Sequence, residues 1–316
     1  MNSDVLMSQP VIENAARSEL DHQANRASFS PVAVVLTHNE ELNLEACLAS
    51  LAGLAHTIYV VDSGSTDRTA EIAERYGATF LQHPFESHTK QWRWALDQMP
   101  VTAEWIFGLD ADQRLSPELR EELRQLFQGP ADHLEGIHGM YVKRRQVFRG
   151  RWIRHGGYYP KYLLKLFRRD KLVLDVDELV DHHFYVNGST RKLSFDLIEE
   201  NHKEDDISFW IDKHNRYAKR LAQEEVRRAG SRMSPIAPRL FGSPDQRILW
   251  LKRRWLQLPR YLRPILYFVY RYFIRLGFLD GKEGFIFHFL QALWFRLLID
   301  IQVEEIIRRE SVKQAS

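Results

Sequence analysis

The sequence predicts an α/β fold, a mostly parallel sheet with helices on both faces, followed by a C-terminal helical amphipathic region. Three observations carry this expectation. Short β-branched runs alternate with helix-periodic segments through the N-terminal half. Polar clusters close three of those runs, at Thr37-His38-Asn39-Glu40, at Asp62 to Asp67, and at Asp110-Ala111-Asp112. Basic and aromatic residues then crowd the chain from Arg239 onward. With 316 residues, 44% hydrophobic and 27% charged, the chain can bury a sizeable core and has the length of about two domains.

Pro31 to Thr37 reads as a buried parallel strand. Asn39 to Leu51 places Leu44, Cys47, Leu48 and Leu51 at helical spacing behind an Asn cap. His56 to Asp62 is a second strand, Ser63 to Thr66 a turn, and Asp67 to Tyr76 a helix stopped at Gly77. A third strand at Thr79–His83, a helix at His88–Asp97 and a fourth strand at Trp105–Asp110 follow. Ser116-Pro117 then opens another helix with Pro at its first position. In sheets built from such βαβ units, ligands sit beyond the carboxyl ends of the strands, where the three polar clusters fall. No G-x-G-x-x-G follows the first strand and no G-x-x-x-x-G-K-[ST] occurs, so dehydrogenase and P-loop readings lose their main support.

The net charge of +2 hides a division. Residues 1–140 carry 9 Lys/Arg against 21 Asp/Glu, which leaves 35 against 21 for residues 141–316. Such asymmetry marks a domain boundary, or a basic surface that meets phosphate or an anionic membrane. The single cysteine, Cys47, excludes an internal disulfide framework and a thiolate-rich zinc site, and suits a reducing compartment. Residues 1–28 lack the apolar run of a signal peptide and read as a disordered leader. An α/β domain over 29–230 and a C-terminal helical region over 231–316 complete the expected division.

By residue type alone, Asp110 and Asp112 at a strand end suit one hard cation such as Mg²⁺ or Mn²⁺, and equally suit loop acidity or a helix cap. Asp62 is placed to accept hydrogen bonds from a ribose or base, or to close an Asx turn. Thr37, Asn39 and Glu40 are either ligand contacts or only a helix start. Three clusters at three strand ends favour the functional reading.

The runs Val34 to Glu41, Val60 to Thr69 and Trp105 to Asp112 resemble the family 2 glycosyltransferases, inverting enzymes of the GT-A fold. The flavour is similar to the bacterial subgroup of lipopolysaccharide-core β-1,4-glucosyltransferases and exopolysaccharide enzymes. The resemblance spans about residues 31–225. It implies that Thr37, Asn39, Glu40 and Asp62 line the base and ribose, with Ser63-Gly64 as the adjoining turn. Asp112 becomes the direct metal ligand, with Asp110 between ribose and metal. Lys90 or Arg93, on the Lys90 to Leu96 helix, approaches the base or diphosphate, although that helix also reads as an amphipathic one packed by Trp92 and Trp94. Glu178 is implied as general base, with Asp177 second, since the segment Val173 to Asp181 takes the place of a Val-His-Glu pattern. His202 corresponds to a recurring histidine that reaches metal or diphosphate.

The implied function is metal-dependent transfer of a sugar from a nucleotide sugar, most often a UDP-sugar, to a saccharide or lipid-linked acceptor in cell-envelope polysaccharide or lipopolysaccharide synthesis. A sugar-1-phosphate nucleotidyltransferase would need a Gly-rich basic loop where Thr37 to Glu40 stands. A silent scaffold of the same fold would have no use for the paired aspartates.

Between Tyr141 and Lys171 lie 11 Lys/Arg and one acid, interleaved with aromatics. This suits an anionic acceptor, or a basic strand pair on a solvated edge; nucleic acid would suit the same composition but is not an expected partner. Trp210 to Arg228 reads as a long charged helix packed by Trp210, Ile211, Tyr217 and Leu221. Arg239 to Arg275 holds nine Lys/Arg against Asp245 alone, with Trp, Tyr and Phe between them. That pattern describes helices lying in a membrane interface, broken at Pro259 and Pro264, or a helical hairpin packed on the α/β domain. The longest uncharged stretch there, Gly284–Phe295, is 12 residues, short of the roughly 20 needed to span. The expected location is therefore cytoplasmic, peripheral on the anionic inner leaflet of the inner membrane.

Overall fold

A computed structural model describes residues 30–99, 103–175, 183–229 and 236–315. The expected leader, the carboxylates Asp177 and Glu178, and the expected boundary at 230/231 lie outside the described residues.

Strands β1 (Val32–Thr37), β2 (Thr57–Asp62), β3 (Thr79–Gln82) and β4 (Trp105–Asp110) form the parallel half of the sheet in the order β3-β2-β1-β4. Helices α1 (Leu44–Leu51), α2 (Thr69–Arg75) and α3 (His88–Asp97) connect them. Every side chain of β1 except Leu36 is buried, because both faces are covered. Ala33 and Val35 meet Leu44, Leu48, Leu119 and Leu123 on one face. Val32 and Val34 meet Trp92 and Ala95 of α3 on the other. In β4, Gly108 leaves the space taken by Trp92 and Phe184, whose rings sit 4.7 Å apart; a Cβ there would lie 2.6 Å from the Phe184 ring.

Beyond β4 the sheet becomes mixed. β5 (Gln113–Leu115), β6 (Gly139–Phe148), β7 (Arg151–Trp152), β8 (Lys161–Arg168) and β11 (Thr190–Glu200) extend it as β4-β8-β6-β11-β5, with β7 beside β6. β8 runs antiparallel to β4 and β6, whereas β6 and β11 are parallel. Two short strands, β9 (Leu172–Leu174) and β10 (Phe184–Val186), form a separate antiparallel pair. Helix α4 (Pro117–Gln128) starts as expected, with Ser116 accepting from the Leu119 N–H.

The basic strand pair exists, as β6 and β8, but it occupies the middle of the sheet and not a solvated edge. Its cations are therefore paired: Lys143 and Arg145 with Asp196, Arg144 with Glu199, Lys165 with Asp110, and Arg168 with Glu104. The acids come from segments distant in sequence, which no local pattern reveals.

The C-terminal half adds α5 (Ile207–Ala229), α6 (Pro244–Trp255), α7 (Leu262–Val269), α8 (Gly281–His288) and α9 (Phe295–Ala315), with π-helical segments at Tyr270–Ile274 and Phe289–Trp294. Pro259 falls in the break before α7, while Pro264 is accommodated in its first turn. Ala218 and Ala222 of α5 receive Phe295, Ile299 and Val303 of α9. Trp210 packs as expected against Phe148, Tyr158 and Phe287, but Ile211 faces solvent. Buried polar links tie these helices to the sheet domain. The Tyr141 hydroxyl donates to Asp245 at 2.7 Å, and Asp280 takes both the His155 N–H at 2.8 Å and the His155 ring at 2.6 Å.

The helical run Gly277–Lys313 is long and apolar enough, by length and composition, to cross a membrane. Counting uncharged residues misses it, because Arg296 and Asp300 interrupt the run. Asp300 is neutralised by a buried ion pair with Arg263.

Candidate active site

Parallel register puts the three polar clusters side by side, Thr37 opposite Asp62 and Leu36 opposite Asp110. Asp62 is fully buried. Its Oδ1 accepts from the Thr37 hydroxyl at 2.9 Å and from the Ser65 hydroxyl. Its Oδ2 accepts from the Gly64 and Ser65 N–H groups at 2.9 and 2.8 Å. Asp62 thus shapes the Ser63–Thr66 turn, in which Gly64 takes φ +87°, and presents no surface of its own. Here the Asp62 carboxylate closes the Asx-type turn that its residue type also allowed, and the turn displays backbone.

Asn39 differs from the expected helix cap. It adopts φ +53°, its N–H donates to the Ser65 hydroxyl at 2.7 Å, and its Oδ1 accepts from the Thr66 N–H at 2.8 Å. The helix starts later, behind Asn43, whose side chain bonds Glu40 and Asn201. With the Glu40 and Glu41 N–H groups donating to Thr69 and Asp67, the loops after β1 and β2 are joined along their length. Lys203 closes them from above, its Nζ 2.5 Å from the Glu40 carboxylate and 3.2 Å from the Asn39 carbonyl.

Asp110 and Asp112 follow at the end of β4. Asp110 is partly exposed and pairs with the buried Lys165 at 3.1 Å. Asp112 accepts from the Asn201 amide at 3.0 Å. Burial first, then the like charges of Glu199 and Asp110, push its carboxyl well above the usual carboxylate range. Burial opposes the charge on nearby Lys213, but Glu204, Tyr217 and Asp112 together hold that ammonium above its ordinary value. His202 is brought to the same place: with Asn43, Cys47, Asp112 and Glu200 it lines one small cavity, and its Nδ1 lies 3.4 Å from Asp205. Among the described residues no group of three or more His, Cys, Asp or Glu converges closely enough to hold a metal ion unaided. Asp110, Asp112 and His202 are therefore neighbours, not a preformed three-ligand cage.

Lys90 and Arg93 are both exposed on α3, and Lys90 pairs with Glu86. The residue of that helix which touches the site is Gln91, almost fully buried, whose amide reaches the Ser63 hydroxyl at 3.3 Å and whose Oε1 lies 2.7 Å from the His83 ring. Sequence reasoning also missed Lys165, Lys203 and Glu199. A lysine inside the apolar run Leu163-Leu164-Lys165-Leu166-Phe167 was the available signal for the first.

Residues 32–185 match the family described as Glycosyl transferase family 2. That segment, just under half of the chain, is similar to the family 2 glycosyltransferases. The chain is 33% identical over 167 residues to the lipopolysaccharide core biosynthesis glycosyltransferase LpsC of Rhizobium meliloti, covering 50% of this chain and 57% of that one. It is 36% identical over 95 residues to an uncharacterized glycosyltransferase of Rickettsia bellii, covering 30% and 32%. The matches thus span little more than half the length of LpsC and about a third of the Rickettsia relative. A crystal structure of glucosyl-3-phosphoglycerate synthase from Mycobacterium tuberculosis with Mn²⁺, UDP and glucosyl-3-phosphoglycerate is similar at TM-score 0.30 and 23% identity, over 39% of this chain and 46% of that one.

Proposed function

We propose that the chain is an inverting glycosyltransferase that moves a sugar from a nucleotide sugar, a UDP-sugar, to a saccharide or lipid-linked acceptor of cell-envelope polysaccharide or lipopolysaccharide, working as a peripheral protein at the cytoplasmic face of the inner membrane. The observation that carries this reading is the pairing of Asp110 and Asp112 beside the joined β1 and β2 loops, within a glycosyltransferase domain. LpsC, named for lipopolysaccharide core biosynthesis, supports the acceptor class.

A divalent cation fits the donor set. Asp110, Asp112 and Glu199 crowd carboxyl groups into one corner, where burial, then Glu199 and Asp110, raise the Asp112 carboxyl against the opposing charge of Lys213. Asp112 would hold Mg²⁺ or Mn²⁺ with Asp110, and His202 stands nearby as a further donor. Such an ion supplies charge neutralisation for the departing diphosphate. Thr37, Asn39, Glu40 and the Ser63-Gly64 turn bind the nucleoside, positioned by Asp62 and Gln91. Lys165, 3.1 Å away, orients the Asp110 carboxylate.

In the reaction the acceptor hydroxyl oxygen bonds to the anomeric carbon from the face opposite the diphosphate. The carbon–oxygen bond to phosphate breaks, the electron pair leaves with the nucleoside diphosphate, and the hydroxyl proton passes to the Glu178 carboxylate. Inversion follows from that single displacement. Asp177 is the second candidate base. Both belong to a segment whose described flanks are fixed: Asp175 by Thr89 and Arg228, and Phe184 against Gly108 and Trp92.

Calorimetric titration of UDP, GDP and CDP, each with and without Mn²⁺ or Mg²⁺, tests the proposal. Metal-dependent binding of UDP is expected, and a folded preparation that binds no nucleotide overturns it. Glu178→Gln is expected to keep nucleotide binding and lose at least about a hundredfold in transfer rate; full activity would move the base elsewhere.

A further inference from the structure

We propose that the exposed face of α6 and α7, together with the turn at Phe273–Leu279 and the β6–β7 hairpin, is the surface that seats the protein on an anionic lipid bilayer. The inference deepens the membrane-side location given above, and it rests on observations separate from the nucleotide site.

Among the described residues, all exposed large hydrophobic side chains but Leu42, Phe85, Phe195 and Ile211 lie at or beyond Leu240. Leu251, Leu262, Ile265, Phe273, Ile274 and Leu279 are among them, with Phe273 54% and Ile274 66% exposed. An apolar patch of this extent on a soluble surface marks a place of contact. Its charge is one-sided. Between Arg239 and Asp280 the only acids are Asp245 and Asp280, both buried and both bonded to the sheet domain, to Tyr141 and His155. Exposed Arg247, Lys252, Arg253, Arg254, Arg260 and Arg275 are left without an exposed acid in that stretch. Glu224 meets Lys252 and exposed Glu304 takes the Tyr261 hydroxyl at one margin, but with the stretch's own carboxylates buried its exposed cations predominate, the complement of an anionic leaflet.

The sheet domain adds to this surface, which the sequence alone did not show. The Gly156 N–H donates to the Arg275 carbonyl at 2.9 Å, and Arg271 donates to the Gly156 carbonyl at 2.7 Å. The exposed Arg154 immediately precedes the anchored His155, and exposed Arg149 and Arg151 form the hairpin next to it. Cations of the sheet domain thus flank the apolar turn. A second copy of the chain is the poorer occupant, because a two-fold contact sets the same cations against each other. A membrane span is poorer too, since α9 spends Phe295, Ile299 and Val303 on α5 and carries the buried Arg263–Asp300 pair.

Flotation of the full chain with phosphatidylglycerol/phosphatidylethanolamine vesicles and with phosphatidylcholine vesicles tests the proposal. Binding to the anionic vesicles only, weakened by salt and released by alkaline carbonate, is expected. Arg253→Gln with Arg254→Gln should lower the partition constant about 30-fold, which is about 1 kcal/mol for each cation. Phe273→Ser with Ile274→Ser should lower it at unchanged charge. Both double variants sit on the surface and should keep nucleotide binding, so loss of nucleotide binding in the wild type and loss of vesicle binding are separate failures. No flotation of the wild type, equal binding to phosphatidylcholine, resistance to carbonate, or a dimer abolished by Phe273→Ser with Ile274→Ser in place of lipid binding would each overturn it.

Discussion

Two strand-end carboxylates, Asp62 and Asp112, sit in opposite electrostatic surroundings. Asp62 receives four protein hydrogen bonds and spends its charge on the turn it holds. Asp112 receives one from Asn201 and faces Glu199 and Asp110. Asp62→Asn replaces an acceptor with an amide that meets the Gly64 and Ser65 N–H groups, so it should cost about 2 kcal/mol and weaken nucleotide binding. Urea denaturation measures the first and calorimetry the second. Asp112→Asn relieves like-charge repulsion, so the variant should melt no lower than wild type while losing metal-dependent nucleotide affinity and turnover. A large drop in melting temperature would instead make Asp112 structural. Lys203→Met should act between these cases, loosening the Asn39 loop and raising the nucleotide Kd about tenfold without altering which metal is preferred.

Among the secondary-structure elements, β4 is constrained twice, since it carries Asp110 at its end and Gly108 under Trp92 and Phe184. Gly108→Ala should cost about 1–3 kcal/mol by overpacking, measured as a shift in urea midpoint at constant slope. Strands β1–β4 and helices α1–α4 were legible because they follow local periodicity with stops or caps such as Gly77 and Ser116, whereas the three-residue β5 and the displaced start of α1 were not. The pairing of β6 with β8 and β11 was not, because it depends on acids far away in sequence, as Arg145 does on Asp196, 51 residues on. At the site, residue types at strand ends identified Asp62, Asp110 and Asp112, but the division of labour between them follows from who donates to whom. Gln91 eluded the sequence because a polar residue on an amphipathic helix reads as solvated until the β2 turn is placed beside it.

For the whole molecule, the docking of the C-terminal helices onto the sheet domain has a pH dependence. The His288 ring is wholly buried, lies where a Cβ at Gly156 would collide with it, and has no hydrogen-bond partner for either nitrogen among the described residues. Burial, then Arg271, push its pKa down to about 4, with Asp280 opposing. The native state then binds fewer protons than the unfolded chain between the ordinary histidine value and about 4. This group's contribution is therefore complete above about pH 6.5 and is lost progressively as pH falls, up to about 3 kcal/mol. Urea midpoints should fall between about pH 7.5 and pH 5, and His288→Leu should flatten that dependence. An unchanged slope in the variant would assign the acid sensitivity to other groups.

Cys47 lies beneath the Asp110 carbonyl with its thiol out of solvent, and burial, then Asp112 and Asp110, push its ionisation up. It is the only sulfur nucleophile in the chain. Thiol-directed reagents should therefore leave the native protein unmarked, so a cysteine introduced at Phe273 or Arg154 would carry a spin label or fluorophore alone, on an otherwise unaltered sequence. The same chemistry gives a folding assay: labelling of Cys47 counts molecules that have opened the layer between α1 and β4.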